Sequence, residues 1–141
     1  MDKKRIVGID FGLKRTGLAI TDENNIIASG LTTVPTKELM NYLIQLVKDK
    51  NVGVFVLGEP KRLNMQDSHS SENVRLFKTA LENQFPNYNV VMMDERFTSK
   101  MAKQTIIDSG IKKNKRKDKG LVDEVSATII LQSYMDQQTF L

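Results

Sequence analysis

The sequence predicts an α/β protein: a five-stranded mixed sheet, an antiparallel meander followed by parallel strands, flanked by helices. Three observations lead there. Residues 4–11, 16–21 and 26–34 are strand-like and joined by links too short for a crossover, which makes them antiparallel. Residues 52–57 (VGVFVL) form a continuous apolar run, as expected of a strand covered on both faces, and residues 88–93 read as a second buried strand. Segments with helical spacing of apolar residues separate and follow these two strands.

Taken in order, the first two strands meet at a short turn flanked by Gly12 and Gly17, and DENN at residues 22–25 signals the next turn. After Pro35, Thr36 is placed to cap a helix whose apolar positions are Leu39, Leu43, Leu46 and Val47. The fourth strand leads into a polar loop, EPKRLNMQDSHS, and then a helix with Val74, Phe77 and Leu81 on one face. The fifth strand ends at Asp94 and Glu95. Residues 98–109 read as a helix stopped by Gly110, and residues 121–135 as the last helix, with Leu121, Val125, Thr128, Ile129 and Gln132 roughly in line. The order is βββαβαβαα. Helical crossovers return the chain parallel, so the carboxyl ends of the first, fourth and fifth strands share one edge of the sheet. Open α/β sheets place their sites at that edge. Asp10, Glu59 and the pair Asp94–Glu95 all fall there.

At 141 residues the chain has room for one domain with a real core, spanning residues 1–141. No stretch approaches the roughly 18–20 apolar residues of a membrane span. The N-terminal MDKKR has the charge of a signal peptide without its apolar region, so a soluble cytoplasmic protein is expected. There are no cysteines and one histidine, which excludes disulfides and argues against zinc. Any metal would be held by oxygen, favouring Mg2+ or Mn2+. Net charge is +4, and residues 112–119 (KKNKRKDK) alone carry +5, so the basic character is one patch.

Two ionised carboxylates about 4 Å apart repel by about 4 kcal/mol at an effective dielectric near 20, and convergent acids need a proton, a basic side chain or a divalent cation to offset this. A magnesium-type site suits them, and such a site can activate water and stabilise a leaving oxygen in phosphodiester cleavage. Asp123 is a further acid, near the start of the last helix and one turn ahead of Ala127 and Ile130, where it could reach the sheet edge. Each acid has a plainer reading. Asp10 could bond the amides of its own turn. Glu95 could pair with Arg96 or a lysine, Asp123 could complement the helix dipole, and Glu59 could be a loop acid. Their predicted convergence is what favours a shared site.

Basic residues ring that edge: Lys14 and Arg15, Lys61 and Arg62, Arg96, and the run Lys112, Lys113, Lys115, Arg116, Lys117 and Lys119. A basic run alone is usually a solvated loop. Beside acids able to hold a metal, it describes a site for a phosphate polyanion. With 6% aromatic residues and no basic–aromatic alternation, base stacking is not indicated. GLKRTG has the glycine spacing of a phosphate loop, but Leu18 stands where its lysine belongs. The DFG at residues 10–12 lacks every other kinase signature. His69 reads as a surface residue.

Four blocks, IVGIDFGLKRTGLAI, VFVLGEP, MMDERFTS and VDEVSATIILQSYM, resemble the signatures of the YqgF family of Holliday-junction-resolvase-like proteins, also described as pre-16S rRNA nucleases. The resemblance covers nearly the whole chain, in order. It implies a ribonuclease H-like fold and a metal-dependent nuclease that trims the 5′ end of the 16S rRNA precursor, with Holliday junctions as an alternative substrate and the ribosome as a partner. It places the family's acids on Asp10, Glu95 and Asp123. This chain departs from the pattern at Glu59, where the family usually has an apolar residue, and at NMQDSHS, where a loop such as NMDGT is usual. RuvC-like enzymes carry a glutamate near the end of that strand, so Glu59 is an additional candidate ligand. Two rival readings stand beside it: an ATP-binding domain of the actin–hexokinase type, which also opens with D-x-G, and a non-catalytic module binding rRNA, the ribosome or the transcription machinery.

Overall fold

The expected sheet forms, and its strands run in the order β3-β2-β1-β4-β5. The computed structural model describes residues 4–60, 69–95 and 119–139. The elements are β1 (Arg5–Asp10), β2 (Arg15–Thr21), β3 (Ala28–Pro35), a short 3-10 helix (Thr36–Glu38), α1 (Leu39–Asp49), β4 (Val52–Pro60), α2 (His69–Gln84), β5 (Asn89–Glu95) and α3 (Lys119–Thr139). β1 pairs antiparallel with β2, and β2 with β3; β1 and β5 each pair parallel with β4. The carboxyl ends of β1, β4 and β5 therefore lie together, as the crossover argument required. The helix expected over residues 98–109 lies outside the described residues.

The pleat divides the side chains between two unequal faces. Val7 and Ile9 of β1 and Phe55 and Leu57 of β4 are buried on one face, with Leu39, Leu43 and Leu46 of α1 and Leu81 and Phe85 of α2. The α1 leucines recur at the helical period, and fully burying each such side chain contributes about 1.5–3 kcal/mol. The other face is thinner. Ala19, Ala127 and Leu131 form its buried centre. Small residues there let α3 lie close: a Cβ on Gly8 would stand 2.8 Å from both the Ala127 carbonyl oxygen and the Leu131 Cβ.

Several boundaries and faces differ from the sequence reading. β4 runs on to Pro60, so Glu59 is a strand residue and not a loop residue. α2 opens at His69, which the sequence had placed in a polar loop. Thr36 caps no helix with its side chain. The buried positions of α3 are Ser126, Ala127, Ile130 and Leu131, whereas Gln132 is exposed. Ala127 and Leu131 are the residues that meet Gly8, and the inward stripe combines small and large side chains.

Candidate active site at the carboxyl edge of the sheet

Asp10 is the last residue of β1 and sits opposite Gly17 of β2. The parallel register that pairs Ile9 with Leu57 brings it level with Gly58 of β4. Strand alternation puts Asp10 on the face of Gly8, the face that α3 covers, and away from the large core of Val7 and Ile9. The carboxylate thus breaks an apolar run on the face turned away from that core.

The link from Asp10 to β2 is held by a threonine pair. The Thr36 hydroxyl donates to the Gly12 carbonyl at 2.6 Å and lies 2.9 Å from the Thr16 hydroxyl. A hydroxyl has one hydrogen to give, so with Thr36 donating to Gly12, Thr16 donates to Thr36. The Thr36 amide also donates to the Lys14 carbonyl at 3.0 Å. Thr16 is fully buried. Gly12 is needed because a Cβ there would collide with the Arg15 carbonyl.

Asp123 comes from the opposite end of the chain, on the first turns of α3. Gly17 is what admits it: a Cβ at that position would overlap the Asp123 carbonyl and crowd the Glu124 amide at 2.8 Å. The Asp123 carboxylate forms an ion pair with Arg15, Oδ2 against Nε. The approach is one of charge, without the alignment of a hydrogen bond, and both atoms are buried. A cleft of about 260 Å³ opens over them, lined by Gly12, Leu13, Lys14, Arg15 and Asp123. One turn further along α3, the Ser126 hydroxyl is buried with no hydrogen-bond partner among the described residues.

Glu59 takes the other face. It follows Leu57 by two positions, pairs in register with Asp94, and meets Arg75 of α2 at 3.1 Å. Glu95 closes β5 in register with Pro60. Among the described residues, no three His, Cys, Asp or Glu side chains gather into a group able to hold a cation. Of the basic residues, Lys14 and Arg15 line the cleft and Lys119 is the first residue of α3. Lys61, Arg62, Arg96, Lys112, Lys113, Lys115, Arg116 and Lys117 lie outside the described residues. The sequence reading missed Thr16, Arg75 and Ser126, and gave Thr36 only as a helix cap. Only Gly17, the second glycine of D-x-G-x-x-x-x-G, had left a signal.

This sheet order, with an acid closing β1 and another on a helix laid across it, defines a ribonuclease H-like fold of the resolvase type. The chain is similar to T. thermophilus RuvC solved in complex with a Holliday junction substrate, at 14% identity over 97% of this chain and 96% of that one, with a TM-score of 0.60. It is likewise similar to the yeast mitochondrial Holliday junction resolvase Ydc2, at 12% identity over 96% and 79%, with a TM-score of 0.55. Those likenesses speak for the fold. The family is given by sequence: residues 4–137 match RuvX, described as Holliday junction resolvase, and the chain belongs to that family. A protein of Flavobacterium johnsoniae is 51% identical over 136 residues, 96% of this chain and 99% of its own. One of Porphyromonas gingivalis is 54% identical over 132 residues, 94% and 96%. Both carry the name "Putative pre-16S rRNA nuclease".

Proposed function

We propose that this chain is a cytoplasmic, single-domain nuclease, dependent on Mg2+ or Mn2+, that matures the 5′ end of the 16S rRNA precursor on or near the ribosome. One observation carries the reading. Acids from the two ends of the chain, Asp10 and Asp123, face the same side of the same sheet edge, and Asp123 already sits against a positive charge. A position that selects a guanidinium also suits a cation held by oxygen, and the donor set has no sulfur to favour a softer metal.

In this reading Asp10, Glu95 and Asp123 hold the ion, which supplies an activated water and neutralises charge on the scissile phosphate. Asp10 and Glu95 stand on strands separated by β4, two strand spacings or about 10 Å across the sheet. Asp10 stands on a strand end fixed by the Thr16–Thr36 pair, and Asp123 on a helix wedged against Gly17. The backbone at both positions is thereby fixed before any ligand arrives. Lys14, with Lys61, Arg62, Arg96 and the basic residues from Lys112 to Lys119, grips the nucleic-acid backbone, which makes binding salt-dependent and indifferent to sequence.

The test uses purified protein with Mg2+ or Mn2+ on a precursor-rRNA 5′ leader and on a four-way DNA junction, beside an Asp10→Asn control. Cleavage of the leader that needs the ion and disappears in Asp10→Asn, with RNA binding retained, supports the reading. Preferential cleavage of the junction moves the substrate to branched DNA, as the family description would suggest. Binding without cleavage under any condition leaves a non-catalytic module.

A further inference from the structure

Arg15 is the first residue of β2 and is tied on both sides, by register to Asp10's neighbour Gly17 through the strand and to Pro35 of β3. Its backbone cannot move without disturbing the hairpin, but its side chain is 38% exposed and can swing. Asp123 retains 20% exposure over its side chain as a whole, yet its Oδ2 is buried under the Arg15 Nε. An ion that takes that oxygen therefore has to part it from the guanidinium.

We infer that Arg15 is a tethered counter-cation, a positioning residue that holds the Asp123 carboxylate until a divalent ion displaces it and then turns to a backbone phosphate of the nucleic acid. The inference rests on the cation-dependent reading of the site given above. A guanidinium left in place would repel the incoming ion and keep Oδ2 from it, leaving only the other oxygen of the carboxylate. A planar guanidinium that loses a carboxylate finds an equivalent bidentate acceptor in a phosphate. Lys14, beside it on the rim of the cleft, supplies charge for the same backbone. Ion loading and nucleic-acid binding thus become coupled through one side chain, each favouring the other.

The decisive experiment is Mn2+ titration by calorimetry without nucleic acid, on the wild type, Arg15→Gln, Asp123→Asn and the double variant. Removing the competing charge should tighten Mn2+ binding about tenfold in Arg15→Gln, and the gain should vanish in the Asp123→Asn background, as a coupled pair requires. A second readout is the salt dependence of binding to the rRNA leader, with Ca2+ in place of Mn2+ to forestall cleavage. The ion should steepen the wild-type slope by about one phosphate contact and leave Arg15→Gln unchanged. Equal or weaker Mn2+ binding by Arg15→Gln overturns the inference while leaving the nuclease reading intact. No Mn2+ binding by either protein overturns both. Should Arg15→Gln fold poorly by circular dichroism, Arg15→Met keeps the apolar stem and carries the same expectations.

Discussion

Gly17 and Asp123 meet backbone against backbone, with the Asp123 carbonyl filling the space that any side chain at residue 17 would need. The contact joins the second strand to the last helix and sets where the Asp123 carboxylate stands. Gly17→Ala forces α3 outward or bends β2, since backbone cannot yield as a flexible side chain would. The expected loss is about 3 kcal/mol, at the upper end for overpacking, with Tm lower by about 10 °C. Thermal unfolding gives the number. The same variant should bind Mn2+ more weakly even when fully folded, because Asp123 travels with the helix.

Thr36 acts at the other wall of the cleft. Thr36→Val keeps the shape and removes the hydroxyl, leaving the Gly12 carbonyl and the buried Thr16 hydroxyl without their 2.6 Å and 2.9 Å partner. Stranded buried polar groups cost about 1–3 kcal/mol. Urea denaturation should show that loss, and amide exchange should quicken in residues 11–14.

Ser126 presents the reverse case. Its hydroxyl is buried among α3 and the sheet with no partner among the described residues. Ser126→Ala should raise stability by about 1 kcal/mol in urea titration. A loss of similar size would mean that the hydroxyl has a bound water or another group to serve.

What the sequence made legible was the sheet. Strand directions, the shared carboxyl edge of β1, β4 and β5, the α1 leucines and Asp10 at a strand end all followed from turn lengths and periodicity, which are local signals. The inward face of α3 differs from the sequence reading because apolarity ranks Leu121 and Ile129 above Ser126 and Ala127, while the helix turns Ser126, Ala127, Ile130 and Leu131 to the sheet. The Arg15–Asp123 pair and the threonine bridge join residues distant in sequence, and no spacing rule reports such contacts. Glu59 was misplaced by ending β4 three residues early; extending the alternation from Leu57 would have turned it to the far face.

That face yields a comparison between glutamates. Glu59 lies on the α2 side and pairs with Arg75, whose side chain is about half exposed, so Glu59→Gln should cost no more than about 1 kcal/mol of stability. Its Mn2+ affinity should stay within about twofold of the wild type, whereas Glu95→Gln should lose about tenfold or more if Glu95 is the third ligand. Calorimetry on the two single variants decides between them. Equal losses would return Glu59 to the ligand set.

The β2–β3 hairpin carries a pH dependence of its own, far from the cleft. The Asp22 carboxylate accepts from the amides of Ile26 at 2.6 Å and Ile27 at 2.8 Å, and more distantly from Asn24. The Ile27 bond is the largest cause holding its pKa below the ordinary 3.8, with Ile26 and Asn24 acting the same way. A carboxyl depressed on folding stabilises the native state above its unfolded value, and that contribution disappears as pH falls through the folded value. The effect should therefore be fully present above pH 3.8 and lost only below it. Side-chain carboxyl NMR should show Asp22 titrating under 3.8 while the fold persists. Asp22→Ala should remove the dependence and loosen Asn25, whose backbone holds a left-handed φ of 55° in that turn. A titration midpoint at or above 3.8 would show that these amide bonds do not hold in solution.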